Sequence, residues 1–281
     1  MDVSMKIGCI GQGFVGKNIA DDFENREYEV VRYSLEPQYS DNADMIGQCD
    51  IVFIGVPTPS TPEGFDYSII KKVLPLVSDG SVVVIKSTVL PGTTAELQSA
   101  HPDKIVLFSP EFLCETTAAY DVANPIMNVI GVSLDTDAHK KAGERVMGIL
   151  PKSPHNSIVT SQTAELYKYA HNLNGYMRVI LSNLLYEVGE KKGAQWEDMK
   201  QMMDNDPMMS AYYNSPVHKD GRGAGGNCFI KDMAAFRHLY QTLLPEDQNG
   251  LAVLQSLEKK NLELLRHSNK SQDLVRDVYG V

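Results

Sequence analysis

The sequence lacks the features that mark several broad classes of protein. No apolar run approaches the roughly 18 residues that a membrane span requires, so we expect no contact with a membrane. No basic and apolar leader precedes the first predicted strand, and we therefore expect a cytoplasmic protein. Basic residues are outnumbered 26 to 36 by acidic ones, and the net charge of −10 argues against nucleic acid as the main partner.

Cysteine is also scarce, and its spacing is uninformative for metals. The four cysteines stand far apart, with no CxxC pair and no Cys/His cluster; they are Cys9, Cys49, Cys114 and Cys228. This spacing gives no sign of a disulfide framework or of a zinc site. We expect four free thiols and no bound metal.

Apolar patterning predicts two domains. Short apolar runs such as MKIGCIG, DIVFIGV and VVVIKST alternate with helical stretches, the first over about 14–25. This order is typical of an α/β domain with a Rossmann-type, doubly wound parallel sheet, which we place at 1–160. From 161 to 281 we predict an all-helical domain that supplies substrate residues. Its long central helix has more apolar surface than one small domain needs, which indicates a homodimer through this helix.

A glycine motif stands between the first strand and the first helix. Gly11, Gly13 and Gly16 have the G-x-G-x-x-G spacing, which lets the backbone approach a pyrophosphate at a helix N-terminus. At the end of the second strand, Ser34 stands where an acidic residue normally binds the ribose hydroxyls of NAD. Arg32 lies nearby and would suit NADP, whereas Glu36 would replace the carboxylate. We therefore predict NAD, with NADP left open.

A second glycine-rich segment, at 221–232, ends in a cysteine at a predicted helix start. A helix N-terminus favours thiolate over thiol, so Cys228 is a candidate nucleophile, although many free cysteines are simply small buried residues. Asp232 lies one turn further along. Lys168 and Asn172 have the same spacing on the long helix and would hold an oxygen that becomes negatively charged.

Polar residues also follow two strands of the predicted sheet. Lys86, Ser87 and Thr88 come after VVVI, and Glu111 and Glu115 come after IVLF. Ligands collect at the carboxyl ends of parallel strands, so we expect these side chains to face a site.

Together, GQGFVG, GVPTP, KSTVLPGTT, SPEFLCE, AELYKYAHN and GGNCFIKD resemble the UDP-glucose 6-dehydrogenase family and its nucleotide-sugar relatives, in order and spacing, over about 5–265. That family oxidises the C6 alcohol of a UDP-sugar, UDP-glucose above all, to a carboxylate. It uses two NAD⁺ and forms a thioester on the cysteine. The resemblance implies the same reaction for this chain.

The resemblance also implies a role for each matching residue. Cys228 would capture the aldehyde as a thiohemiacetal and carry the thioester. Asp232 and Thr88 would position a water molecule. Lys168 and Asn172 would bind the oxyanion. Glu111 would assist hydrolysis of the thioester. Further cofactor contacts would come from Phe14, Val15, Pro57, Thr58, Thr88 and Glu115. Substrate contacts would come from Phe112, Leu113, Tyr213, Asn214, the glycines at 223–226 including Gly225, and Lys231. Arg222 is added as a phosphate contact on charge alone.

The sequence departs from the family pattern in several places. Ser34 replaces an Asp, Cys114 replaces the Arg of EFLRE, and Ile230 replaces the Pro of CFPKD. The family's third, UDP-binding domain has no counterpart before Val281, so we expect a short, two-domain form. Two other hypotheses remain: a two-electron dehydrogenase for a small hydroxy acid, of the 3-hydroxyisobutyrate or 6-phosphogluconate kind, and a non-catalytic partner of a full-length dehydrogenase.

Overall fold

The computed structural model describes residues 5–209, 211–219 and 221–280. The chain divides into two compact units, Met1–Thr58 with Tyr67–Lys168, and Pro59–Asp66 with Tyr169–Val281. The sequence-based boundary at 160 differs from this division in two respects. The change of unit falls eight residues later, and the segment 59–66 belongs to the second unit.

The strands and helices have the following bounds. The strands are β1 (Lys6–Ile10), β2 (Glu29–Tyr33), β3 (Ile51–Ile54), β4 (Ser60–Thr61), β5 (Gly64–Phe65), β6 (Val82–Ile85), β7 (Ile105–Phe108), β8 (Asn128–Val132), β9 (Asn156–Thr160), β10 (Val217–His218) and β11 (Gly221–Arg222). The helices are α1 (Phe14–Asn25), α2 (Ala43–Ile46), α3 (Ser68–Val73), α4 (Thr93–Ala100), α5 (Ala118–Ala123), α6 (Asp137–Ile149), α7 (Ser161–Lys192), α8 (Trp196–Asn205), α9 (Asn227–Leu243), α10 (Gln248–His267) and α11 (Gln272–Tyr279).

The first unit is built on a seven-stranded sheet. Its strand order is β2-β1-β3-β6-β7-β8-β9, and neighbouring strands are parallel except β7 and β8. The predicted Rossmann-type α/β fold is confirmed. The antiparallel step at β7 is an addition that the sequence pattern did not indicate.

Burial explains why these segments form strands and helices. All four residues of β3 and of β6 are buried, as expected for parallel strands covered on both faces. In α1 the buried residues recur at helical spacing, ending in Phe23, whose ring packs against Phe53 of β3. The sheet and its helices therefore share one apolar core.

A buried carboxylate joins the beginning of α7 to α4 within the first unit. Glu165 accepts hydrogen bonds from the backbone N–H groups of Gly92 (2.6 Å) and Thr94 (2.8 Å), at the N-terminus of α4. These donors would otherwise lack an intrahelical partner. Burial raises the pKa of Glu165, although the same hydrogen bonds oppose the rise.

The second unit contains the rest of α7, helices α8 to α11 and two short hairpins, β4–β5 and β10–β11. One apolar cluster joins Tyr176 and Val179 of α7 to Met233 and Leu264. Another includes Ile230, which stands where the family pattern has proline and is 1% exposed. The departure at 230 thus places an apolar side chain in the core.

Two helices were not predicted. The helices α8 and α11 lie within the domain predicted to be helical, but neither was predicted as an individual helix. Among the described residues, every helix is too short or too polar to cross a bilayer.

Candidate functional site

The glycine motif forms a tight turn between β1 and α1. A Cβ at Gly16 would lie 1.9 Å from the Gly11 carbonyl oxygen, and one at Gly11 (φ +87°) would lie 2.4 Å from that of Gly55. By contrast, a Cβ at Gly13 would meet no atom within 4 Å. Gly13 is the N-cap of α1, and no side chain caps the helix there. The open side of the turn and the helix N–H groups suit a pyrophosphate.

Ser34 and Glu36, the two residues considered for ribose binding, both accept hydrogen bonds in the segment that follows β2. The Ser34 Oγ accepts the Glu36 N–H at 3.2 Å, and the Glu36 carboxylate accepts the Gln38 side-chain amide. Arg32 donates to Asp21 and Glu24 of α1. Its guanidinium is therefore already engaged by carboxylates, which removes the reason for expecting NADP.

The polar residues that follow β3 and β6 lie at the carboxyl edge of the sheet in the first unit. The Thr58 hydroxyl donates to the Thr88 carbonyl at 2.7 Å, which joins the segment after β3 to the segment after β6. Pro57 lies in the same segment as Thr58. Glu115 is exposed.

A buried ion pair forms between two of the predicted catalytic residues. The Lys168 Nζ donates to the Glu111 Oε1 at 2.9 Å and to the Glu111 carbonyl at 2.6 Å, and it lies 5.5 Å from the centre of the Phe112 ring. The Leu113 N–H donates to the other oxygen of Glu111. Burial opposes ionisation of Glu111, but the charge of Lys168 and these hydrogen bonds outweigh it and lower its pKa. Glu111 is therefore a carboxylate.

A second lysine supports the same segment. The Lys86 Nζ donates to the Ser109 hydroxyl and to the Pro110 carbonyl, both at 3.1 Å. Burial lowers the pKa of Lys86 to about 8; Lys168 acts in the same direction, and the negative charge of Glu111 opposes both. Lys86 thus holds the two residues that lead to Glu111.

Replacing Lys86 by methionine should change how stability depends on pH. The native amine loses its proton near pH 8, whereas the unfolded chain keeps it up to about 10.5, so the wild-type protein gains stability as pH rises between these values. The free energy of unfolding of wild type minus that of Lys86→Met should rise by about 3 kcal/mol across this range. Urea unfolding at four pH values measures the difference. A difference that stays constant with pH would contradict the assignment.

The four cysteines differ in environment. None of them forms a disulfide, as expected; Cys9 and Cys49 are buried, and Cys114 and Cys228 are exposed. Burial raises the pKa of Cys9, and it raises the pKa of Cys49 to about 11. The exposure of Cys228 rules out the alternative that it is a small buried residue.

Cys228 lies in the first turn of α9, which begins at Asn227 after a glycine loop. Gly223 and Gly226 have φ values of +88° and +84°, which favour glycine. Asn261 of α10 holds the loop, because its side chain accepts the Ala224 N–H at 2.7 Å and donates to the Ala224 carbonyl at 3.0 Å. The loop thereby presents the cysteine at an ordered helix N-terminus.

Asp232 lies one turn beyond Cys228 and is 1% exposed. Asn172 donates to one of its oxygens and Lys231 to the other, each at 2.6 Å. A buried carboxylate with these partners is held in one orientation. Asn172, predicted to bind an oxyanion, therefore also fixes Asp232.

The other predicted substrate residues of the second unit differ in their exposure to solvent and in their contacts. Tyr213 is exposed and its ring packs on Phe229, while Asn214 is buried. Arg222 is paired with Glu187 at 2.9 Å and donates to Asn183. Its charge is therefore offset, which weakens the only ground on which Arg222 was selected.

Two residues with clear structural roles at the site escaped sequence reasoning. Gln12 donates to the Cys9 and Gly11 carbonyls inside the glycine turn, and Asn261 holds the loop before Cys228. Gln12 lies within the recognised motif, which was a usable signal. Asn261 stands in a helix far along the chain, where no local pattern marks it. In the described part of the chain, no cluster of three side chains suited to metal binding occurs.

Comparison with known proteins gives two matching family models. The model described as UDP-glucose/GDP-mannose dehydrogenase family, NAD binding domain, matches residues 32–148, and the model of that family's central domain matches residues 162–262. One curated relative is the UDP-glucose 6-dehydrogenase AglM of Haloferax volcanii, which is 26% identical over 82% of this chain and 64% of its own length. The chain spans 46–71% of the length of the first curated relatives.

Solved structures show the same fold. A UDP-glucose dehydrogenase from Pyrobaculum islandicum superposes with a TM-score of 0.80 at 22% identity, covering 100% of this chain and 72% of that one. A 3-hydroxyisobutyrate dehydrogenase from Mycobacterium tuberculosis superposes with a TM-score of 0.72 at 11% identity, covering 97% and 98%. At these identities the likeness establishes a common fold.

Proposed function

Because the chain belongs to the UDP-glucose/GDP-mannose dehydrogenase family, we propose that it oxidises the C6 alcohol of a UDP-sugar, first of all UDP-glucose, to the uronate. NAD is its cofactor, since the model that matches residues 32–148 describes an NAD-binding domain. The observation that carries the proposal is the first turn of α9, where an exposed Cys228 precedes a buried, fixed Asp232.

The first unit supplies the dinucleotide site. The uncapped N-terminus of α1 and the open side of the turn at Gly13 fit a pyrophosphate. When bound, NAD⁺ supplies the acceptor for one hydride in each of two oxidations. Phe14 and Val15 begin α1 at this point, and we assign them, with Thr58, Thr88 and Glu115, to cofactor contacts.

Cys228 carries the covalent part of the proposed reaction. After the first oxidation, its thiolate adds to the C6 aldehyde and forms a C–S bond, and the former carbonyl oxygen takes a proton to give a thiohemiacetal. Loss of that proton and of the carbon-bound hydrogen as hydride gives the thioester. Water then breaks the C–S bond and releases the uronate and the thiol.

The remaining roles are assigned separately in each unit. In the second unit, Asp232 orients the water that relays protons, and Asn172 both fixes Asp232 and donates to the oxyanion. In the first unit, Lys168 stabilises negative charge on oxygen, and Glu111, held as a carboxylate, activates water for hydrolysis of the thioester. Phe112, Leu113, Tyr213, Asn214, Gly225 and Lys231 are proposed substrate contacts.

Spectrophotometry tests the proposal. The purified protein with NAD⁺ is given UDP-glucose, UDP-galactose or an N-acetylated UDP-hexosamine, and absorbance at 340 nm should rise until two NADH have formed per sugar consumed. A parallel sample with 3-hydroxyisobutyrate or 6-phosphogluconate tests the hydroxy acid alternative. Turnover of a hydroxy acid alone would overturn the proposal, and inactivity with every substrate would favour a non-catalytic partner.

We also propose a homodimer through α7. Met177, Leu181, Leu184 and Val188 follow one face of this helix and are 43–62% exposed. A continuous apolar stripe of this kind is typical of a surface that pairs with a second copy.

A cytoplasmic location also remains a prediction.

Charges placed in the stripe should separate the subunits. The variant Leu181→Glu/Leu184→Glu is expected to sediment as a monomer at protein concentrations where wild type is a dimer. Val253→Glu, at an exposed apolar position of α10, is the matched control and should remain dimeric. A monomeric wild type at micromolar concentration would contradict the proposal.

A further inference from the structure

The end of β2 carries a charge cluster that the oxidation chemistry does not use. The Arg32 side chain is only 10% exposed, and its Nη2 lies 2.6 Å from Asp21 Oδ1. Its Nε and Nη2 also donate to the two oxygens of Glu24, at 2.8 and 2.6 Å. This two-point geometry between guanidinium and carboxylate gives strong, directional hydrogen bonds.

The same guanidinium is attached to the glycine turn. The Arg32 Nη1 donates to the Gln12 Oε1 at 3.2 Å. The amide nitrogen of Gln12 in turn donates to the Cys9 and Gly11 carbonyls, at 3.1 and 3.3 Å. Arg32 is therefore held from two sides, by the carboxylates of α1 and by the loop that receives the dinucleotide.

The position of Arg32 matters for cofactor choice. In dinucleotide-binding folds, the end of the second strand faces the adenosine ribose; a carboxylate there binds the 2′-hydroxyl, and a nearby arginine accepts the 2′-phosphate of NADP. Arg32 and Ser34 are two residues apart along this extended segment, so they lie on the same side. Ser34 has no carboxylate, so the group that usually rejects NADP is absent from that position, and the nearby Glu36 carboxylate accepts a hydrogen bond from Gln38.

We propose that Asp21 and Glu24 set the preference of this chain for NAD over NADP, because they hold the Arg32 guanidinium that would otherwise bind a 2′-phosphate. The two carboxylates offset the charges of Arg32 and of Lys17, which lies 3.6 Å from Asp21, so an incoming phosphate dianion meets no net positive charge. It would also have to displace a two-point ion pair. Selectivity here comes from disfavouring the wrong ligand rather than from a contact with the right one.

Removing the two charges should admit NADP. In Asp21→Asn/Glu24→Gln, we expect the Kd for NADP⁺ to fall at least about tenfold, the effect of one charged hydrogen bond to phosphate. The Kd for NAD⁺ should change less than about twofold on the same scale. Isothermal titration calorimetry with each nucleotide measures both without any substrate. Wild type itself should bind NAD⁺ at least about tenfold more tightly than NADP⁺.

Two variants assign the gain to Arg32. Asp137→Asn/Glu144→Gln removes the same charges from exposed positions of α6 and should leave both affinities unchanged. Adding Arg32→Gln to the first double variant should abolish the gain. The same triple variant tests whether Lys17 causes the gain instead. Lys17 lies 3.6 Å from Asp21 and loses this partner in the double variant, but it is still present in the triple variant.

Three results would overturn the proposal. They are equal affinity of wild type for the two nucleotides, no gain in a double variant that melts at the wild-type temperature, and a gain that persists without Arg32. If the double variant does not fold, Glu24→Gln alone removes one negative charge and one of the two oxygens that accept hydrogen bonds from Arg32, and it should show part of the gain. These binding results are independent of which sugar the chain oxidises.

Discussion

Replacing Cys228 by serine is expected to lower the steady-state rate of uronate formation by at least roughly 1,000-fold, a typical consequence of losing a covalent nucleophile. The first oxidation does not use the thiol, so the variant should still form about one NADH per active site in a single turnover. A hydroxyl is a far weaker nucleophile than a thiolate without a dedicated base. Stopped-flow absorbance at 340 nm separates the first turnover from the steady state.

Cys114→Ser is the matched control, because Cys114 is the other exposed thiol of the chain. It should retain wild-type activity. Acid quenching of wild type during turnover should also reveal the acyl group by mass on the peptide that contains Cys228, and not on the peptide of Cys114. Full activity of Cys228→Ser would contradict the thioester mechanism and favour a two-electron reaction.

Gly16→Ala should damage both stability and NAD binding. The added Cβ would lie 1.9 Å from the carbonyl oxygen of Gly11 and 3.0 Å from its carbonyl carbon. Because both are backbone atoms, the turn itself would have to move. We expect the free energy of unfolding to fall by about 3 kcal/mol, at the upper end for overpacking. Displacing the turn re-aims the N–H groups of α1, so NAD⁺ affinity should fall more than about tenfold. Urea unfolding and calorimetry measure the two effects.

Gly148→Ala provides the control for this substitution. Gly148 lies inside α6 of the same unit, and a Cβ there would meet no atom within 4 Å. Gly148 is in the last turn of α6, so alanine there should raise the free energy of unfolding by up to about 1 kcal/mol. Equal and small effects of the two substitutions would mean that the glycine turn tolerates a side chain.

Much of the fold could be predicted from local patterns. The helix α1 has the predicted bounds, and the buried strands are the predicted apolar runs, because burial on both faces requires continuous apolar sequence. The direction of β8 could not be predicted, since an apolar run looks the same in a parallel or antiparallel pair. The helix α8 was not predicted, although Trp196, Met199 and Met203 have helical spacing, because the segment is short and Met203 is its only buried residue.

For the candidate site, the sequence indicated a set of residues but not the contacts among them. Motif order singled out Lys168, Glu111, Asn172 and Asp232. Their actual pairing joins residues 57 and 60 positions apart, which no local spacing encodes. Arg222 illustrates the opposite case, because a charge in the sequence says nothing about a partner such as Glu187 that offsets it.

The hairpin β4–β5 has a consequence for how the chain becomes folded during synthesis. Its Ser60 hydroxyl donates to the Lys231 carbonyl of α9, a contact that joins residues 171 positions apart. The hairpin is therefore synthesised long before the helices with which it packs. The second unit cannot complete its folding until α9 has left the ribosome. A fragment that begins at residue 169 would lack the hairpin that completes the second unit. Limited proteolysis within 59–66 should therefore increase the mobility of α9 and α11 before it affects the seven-stranded sheet.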